Sequence, residues 1–231
     1  LSTDDPEIPG RPLGRRAFIG LMGAGLSSLA WGGSALQAAS SASSVLPAAV
    51  RDAIPVGGQW RIYAVSPPYP RFDAAAWHLS IEGLVEHPVR LDIGQLRALA
   101  TVSQTSDFHC VTGWSVTGVK WGGVRFDQLL ALAKPKPEAK AVAFVSAEQP
   151  YVDTLTLEQL SAPDAMLAYD MDGRPLTREH GAPVRVVMPK MYGYKGVKWV
   201  SRIVLTDQPQ DGYWEQRGYD RDAWVGRSNG V

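Results

Sequence analysis

After Trp60 no apolar stretch keeps a helical period for long. Each helix-like pattern is cut short by a proline, a glycine or the onset of strict alternation. That property removes the regular strand–helix–strand rhythm of parallel α/β proteins. Asp92 with Gln95 predicts a capping box for a short helix carrying Leu96 and Leu99. Asp127 reads as the cap of a helix over 128–133, stopped by Pro135 and Pro137. Thr156 with Gln159 repeats the capping-box pattern.

Strands fill the space between. In 77–85, Trp77, Leu79 and Ile81 alternate with His78, Ser80 and Glu82, predicting a half-buried strand. Residues 141–146 read as a second strand, and 166–176 as a strand entering a tight Asp172-Gly173 turn. Further strands are predicted over 183–189 and 197–205, joined by "KMYGYKG". Short helices among mostly non-parallel strands predict an α+β fold with mixed sheets, in one domain over 59–231. Seventeen prolines and 23 glycines agree with a loop-rich body.

Before that domain, Arg15 and Arg16 precede Phe18, Ile19 and a weakly apolar run of small residues ending near Leu36. The arrangement predicts a twin-arginine export signal, or an uncleaved anchor, over 1–36. Residues 37–58, rich in alanine and serine, predict a linker or arm. Export would place the domain in the periplasm or another extracytoplasmic space.

Lysine plus arginine equals aspartate plus glutamate at 23 each, which gives no basis for a nucleic-acid surface. One cysteine, Cys110, excludes an internal disulfide and any zinc ribbon. His78, His87, His109 and His180 have no zinc-protease spacing. Cys110 is therefore either an inert buried thiol or a chemical one. Its surroundings, "SDFHCVTGWS", offer Phe108 and Trp114 as shields, Gly113 for close backbone approach and His109 to favour thiolate. A cysteine hydrolase pairing Cys110 with His180 stays open, as does a binding module without a cofactor. The G-x-S-x-G elbow is absent.

A second chemical region is "HGAPVRVVMPKMYGYKGVKWV". Arg185, Lys190, Lys195 and Lys198 alternate there with Gly181, Gly193 and Gly196. Cations with glycine-exposed N–H groups suit an anionic, phosphate-bearing ligand, yet no Walker or GxGxxG pattern is present. The same stretch could equally be a hairpin with solvated charges. Tyr151 stands just before a predicted helix, where its hydroxyl could reach a substrate oxygen.

Segments 107–133, 167–189 and 192–203 together resemble the molybdopterin-binding domain of the sulfite oxidase family. The likeness is strongest to its compact bacterial members, which include the catalytic subunit of the periplasmic protein-methionine-sulfoxide reductase. The resemblance implies the sulfite-oxidase-type fold and the molybdenum cofactor, Mo-molybdopterin, with Cys110 as the metal's thiolate ligand. It implies cofactor contacts at Tyr63, Ala64, Val65, Ser66, Ser146, His180, Arg185, Gly196, Val197 and Lys198, and Tyr151 as the active-site tyrosine. The family's sulfite oxidases carry arginine five residues after the cysteine, where this chain has Ser115. The expected reaction is therefore two-electron oxygen-atom transfer, reducing an S-oxide or N-oxide. Sulfite oxidation with other cations, such as Lys120 or Arg71, is the alternative. Electrons would pass to or from a haem protein, since no haem or iron–sulfur motif occurs here, and a monomer is expected.

Overall fold

The computed structural model describes residues 60–229; the predicted signal segment 1–36 and the linker 37–58 lie outside the described residues. Two five-stranded sheets carry the domain. The first is built from β1 (Leu79–Gly83), β2 (Val89–Leu91), β5 (Ala141–Ser146), β6 (Val152–Thr156) and β10 (Val200–Thr206), in the order β2-β1-β10-β5-β6. Only its β1–β10 pairing is parallel. The second sheet runs β3 (Val102–His109), β4 (Ser115–Arg125), β7 (Met166–Met171) and β8 (Arg174–Pro175), with β9 (Arg185–Val187) also paired to β7. The α+β expectation holds, and the helices are short: α1 (Ile93–Arg97), α2 (Phe126–Ala133) and α3 (Leu157–Leu160). Among the described residues no helix is long and apolar enough to cross a membrane.

Both capping boxes form as the sequence predicts, at Asp92/Gln95 and Thr156/Gln159. Alternation in β1 buries Leu79 and Ile81 completely. The Asp172-Gly173 turn joins β7 to β8, both residues at positive φ as a tight hairpin requires. Asp127 departs from expectation. Helix α2 starts at Phe126, so its N-cap is Arg125, without a side-chain cap bond. Burial of Phe126 against Phe144, ring centroids 5.2 Å apart, pulls the helix start forward and leaves Asp127 in the first turn.

Two further departures define the site. Tyr151 precedes strand β6, with α3 beginning only at Leu157. And 183–189 and 197–205 do not form a hairpin. Their strands β9 and β10 belong to different sheets, so the segment between them crosses from one sheet to the other. That crossover tightens into a 3-10 turn over Gly193–Lys195.

Gly193 sits where the crossover meets β3: a Cβ there would lie 2.2 Å from Phe108 Cζ. Gly193→Ala is therefore expected to displace Phe108 or the turn, costing about 1–3 kcal/mol. Urea unfolding of the variant beside the wild type measures it.

Candidate active site

Cys110 occupies the turn between β3 and β4. Its N–H donates to Trp114 O at 2.8 Å, and Gly113 N–H donates to Cys110 O at 3.0 Å, closing the turn. Gly113 is needed for its φ of +88°, while a Cβ there would meet nothing within 4 Å. Its role is thus conformational and not one of close approach. The Cys110 thiol lies 3.1 Å from Thr112 Oγ1, and the residue packs on the apolar cluster of Trp114, Val116 and Trp121. His109 Nδ1 is engaged by Ser115 Oγ at 2.8 Å and so does not bond the thiol. Burial raises the thiol's pKa, opposed by Thr112, the Arg61 charge and Trp114. A bound metal cation reverses that balance, since coordination holds sulfur as thiolate.

An aromatic wall connects Cys110 to the second sheet's far residues. Trp60 packs against Phe108 at 4.8 Å between centroids, edge-on to Trp114 and Trp121, and against His180 at 4.9 Å. Three of the chain's eight tryptophans, Trp60, Trp114 and Trp121, meet here. Arg185, on β9, is 4% exposed, with its guanidinium over Phe108 and Trp121 at 5.6 and 5.3 Å. Its bonds to protein are long: Nη1 to His180 O at 3.3 Å and Nη2 to Gly196 O at 3.5 Å. Its Nε is buried without any partner.

Lys198 donates to Tyr63 O at 2.8 Å and Glu179 O at 3.3 Å, tying the crossover to a short arm over 63–66 within the domain. That arm is also held from inside, since the Val65 and Ser66 N–H groups donate to Glu148 Oε1 at 2.7 and 3.1 Å. Ala64 lies between these anchors, half-buried. Ser146 is fully buried, its hydroxyl donating to Lys198 O and accepting from Glu148 N–H. Burial and the Arg185 charge depress the two neighbouring groups. His180 falls to about 4 through burial, Arg185 and Lys198. Lys198 falls to about 7 through burial and Arg185.

The residues present fit a phosphorylated pterin. A buried guanidinium with an unpartnered N–H, whose charge also depresses His180 and Lys198, lacks an anion to complete it. Buried Trp114 Nε1 and Trp121 Nε1 also lack partners, leaving further donors along the same wall. Arg185, Lys198 and neutral His180 would hold the anionic group, and Cys110 would hold the metal.

Other expected contacts serve the frame. Gly196 N–H closes the 3-10 turn onto Gly193 O, and Val197 is buried with its N–H on Lys195 O and its carbonyl taking Val186 N–H. Lys195, counted with the phosphate-binding cations, is 1% exposed and donates to Asp153 Oδ1 and Glu215 Oε1, each at 2.6 Å. The side chain is consumed inside the core and cannot face a phosphate. Lys190 stays exposed, 3.9 Å from Asp164. Tyr151 Oη donates to Tyr194 O at 2.5 Å, and its ring stacks on Tyr213. Reasoning from residues missed Trp60, Glu148 and Arg61. Glu148 left one usable signal, a carboxylate two residues after the apolar 141–146 strand.

The family described as "Oxidoreductase molybdopterin binding domain" matches residues 66–214, more than half of the chain. Among curated relatives, the uncharacterized oxidoreductase YuiH of Bacillus subtilis is 38% identical over 154 residues, 66% of this chain and 77% of YuiH. The protein-methionine-sulfoxide reductase catalytic subunit MsrP of Gluconobacter oxydans is 34% identical over 175 residues, 68% of this chain. The match spans 56% of MsrP, so this chain covers little more than half of that relative. Among solved structures, the sulfane dehydrogenase SoxCD from Paracoccus pantotrophus aligns with a TM-score of 0.56 at 27% identity, covering 61% of this chain and 41% of that one. The chain belongs to the oxidoreductase molybdopterin-binding family, in the compact bacterial form of the sulfite oxidase type.

Proposed function

We propose that this protein reduces an uncharged S-oxide or N-oxide, free or carried on a protein, and receives its electrons from a haem partner. One observation carries the choice of substrate. Cys110, Trp60 and Phe108 all pack on the apolar cluster that contains Trp114 and Trp121, and the position of the sulfite oxidases' arginine holds Ser115, already engaged by His109. An apolar, aromatic wall suits a thioether-like oxide better than a dianion. The balanced reaction is R2S=O + 2 H⁺ + 2 e⁻ → R2S + H2O. The molybdenum cofactor, when bound, supplies the oxygen-atom and electron chemistry. The chain's residues do the rest. Cys110 holds the metal, Arg185 and Lys198 hold the pterin's anionic end, and His180 stays neutral as a hydrogen-bonding group. Tyr151 offers its hydroxyl to the substrate oxygen, exchanging the Tyr194 carbonyl for it. Burial holds that phenol well above its ordinary pKa, so it remains a donor.

Sulfite oxidation is favoured by a different observation. Lys120 and Arg71 are exposed, but Arg61 carries a charge felt at Cys110 and could pair with an anionic substrate. The twin arginine at Arg15 and Arg16 supports export of the folded, loaded protein. Protein from a molybdenum-replete, pterin-competent host is expected to carry about one molybdenum per chain. Metal-free protein from that host would overturn the reading and return Cys110 to the hydrolase or inert-thiol alternatives. Turnover on sulfoxides and N-oxides with an artificial electron donor, against none on sulfite with an acceptor, fixes the direction; the reverse pattern assigns sulfite oxidation.

A further inference from the structure

Beneath Tyr151 lies a cluster that cofactor binding does not use. Lys195, Asp153 and Glu215 are 1–2% exposed and come from three segments: the crossover's 3-10 turn, β6, and a second 3-10 turn over Glu215–Arg217. Lys195 Nζ donates to Asp153 Oδ1, to Glu215 Oε1 and to Thr154 O at 3.0 Å. One cation therefore serves two carboxylates. Asp153 Oδ2 and Glu215 Oε2 are buried with no partner. The backbone at Gly212 closes one side, since a Cβ there would lie 2.7 Å from Glu215 Oε2. With all three groups ionised, the site would hold a net negative charge in a desolvated pocket with two unmatched lone-pair sites. That is among the costlier arrangements a core can contain.

Position makes the cluster relevant to catalysis. Lys195 follows Tyr194 in the chain, and the Tyr194 carbonyl accepts the Tyr151 hydroxyl. Asp153 stands two residues after Tyr151 on the other side of the same contact. We propose that Lys195, Asp153 and Glu215 hold one extra proton on an unpartnered carboxylate oxygen, and so fix the carbonyl that orients Tyr151. They are positioning residues. Tyr151's place toward substrate rests on the reading above, whereas the proton and the hydrogen bond are properties of the chain itself.

Around Asp153, the titratable groups are Lys195 and Glu215; around Tyr151 they are Asp153, Glu215, Glu148 and Arg185. Around Tyr194, whose carbonyl links the two, Asp220 joins Glu215 and Asp153. Burial pushes Asp153 up to about 7, against the pull of Lys195. The folded state thus keeps a proton that the unfolded chain releases near the ordinary aspartate range. Stability is expected to fall as pH rises from about 4 to about 7 and then to level off. Releasing the proton sets a negative charge beside the phenol and alters its bond to the Tyr194 carbonyl.

Infrared difference spectra of the isolated full-length protein, between pH 5.5 and 8.5, read both consequences without substrate. A protonated-carboxyl band is expected to vanish at high pH, together with a shift in a tyrosine ring mode. Tyr151→Phe should remove the tyrosine signal and keep the carboxyl band. Asp153→Asn mimics the protonated state, and should remove both signals while the chain stays folded. Surface Asp211→Asn should change neither. A carboxyl band absent from the wild type, or retained in both Asp153→Asn and Glu215→Gln, overturns the proton site. A tyrosine signal that survives in Asp153→Asn and in Glu215→Gln overturns the coupling. Because these readings need neither turnover nor metal, their failure is separate from failure of sulfoxide reduction.

Discussion

Cys110→Ser is expected to lower kcat on a sulfoxide by about 100-fold or more, since losing even an outer-shell partner of a metal ligand costs 10–100-fold. Its effect on folding should stay below about 1 kcal/mol. The two effects separate because the turn at Cys110 is held by backbone bonds to Trp114 and Gly113, which serine retains. A serine hydroxyl can also keep the short contact to Thr112. What it cannot supply is a soft thiolate: an alcohol holds its proton where a metal-bound thiol gives it up. Steady-state kinetics of metal-loaded variant and wild type, alongside urea unfolding, check both parts. Unchanged kcat in the serine variant would remove Cys110 from the chemistry. Large destabilisation would return it to the inert packing role that a lone cysteine commonly has.

Much of this architecture was legible because its signals are local. Capping boxes at Asp92 and Thr156 join residues three apart, and the Asp172-Gly173 turn joins immediate neighbours. Such pairs can be read without knowing the fold. Misreadings arose where tertiary contacts decide. Asp127 lost its capping role to the burial of Phe126 against Phe144, residues 18 positions apart. The stretch from Arg185 to Lys198 looks like a hairpin because both ends are strand-like. Nothing local says that its strands pair with β7 and with β1 and β5 in separate sheets.

The site shows the same division. Cys110, His180, Arg185 and Lys198 could be picked out by residue type, and the aromatic wall through Trp60 and Phe108 brings His180 and Arg185 together in space. Lys195 belongs to the same basic stretch and looks alike in sequence. Only its burial against Asp153 and Glu215 distinguishes a core ion pair from a phosphate ligand. Arg185 is the more informative cation because it is buried and incompletely bonded. A sequence shows that a guanidinium is present, but not that one of its donors has been left without an acceptor.

Lys195→Met should therefore behave as a core mutation and not as the loss of a surface charge. At pH 8 the expected cost is about 3–5 kcal/mol, because two carboxylates remain buried without their cation. The cost should depend on pH in a defined sense. Lys195 is the group that opposes the burial-driven rise at Asp153, so its removal lets the folded-state carboxyl titrate at still higher pH. The variant then holds its protons more tightly than the wild type, and its deficit relative to wild type grows from pH 5 to pH 8. Urea denaturation at both values, on full-length protein, measures the difference. Combining Lys195→Met with Asp153→Asn and Glu215→Gln removes the stranded charges and should recover most of the loss. A single variant as stable as wild type at pH 8, or a triple variant no better than the single, would mean that the three side chains do not share one electrostatic unit. Recovery would instead show that the buried charges themselves, more than the packing of the lysine stem, set the stability of the crossover that carries Tyr194.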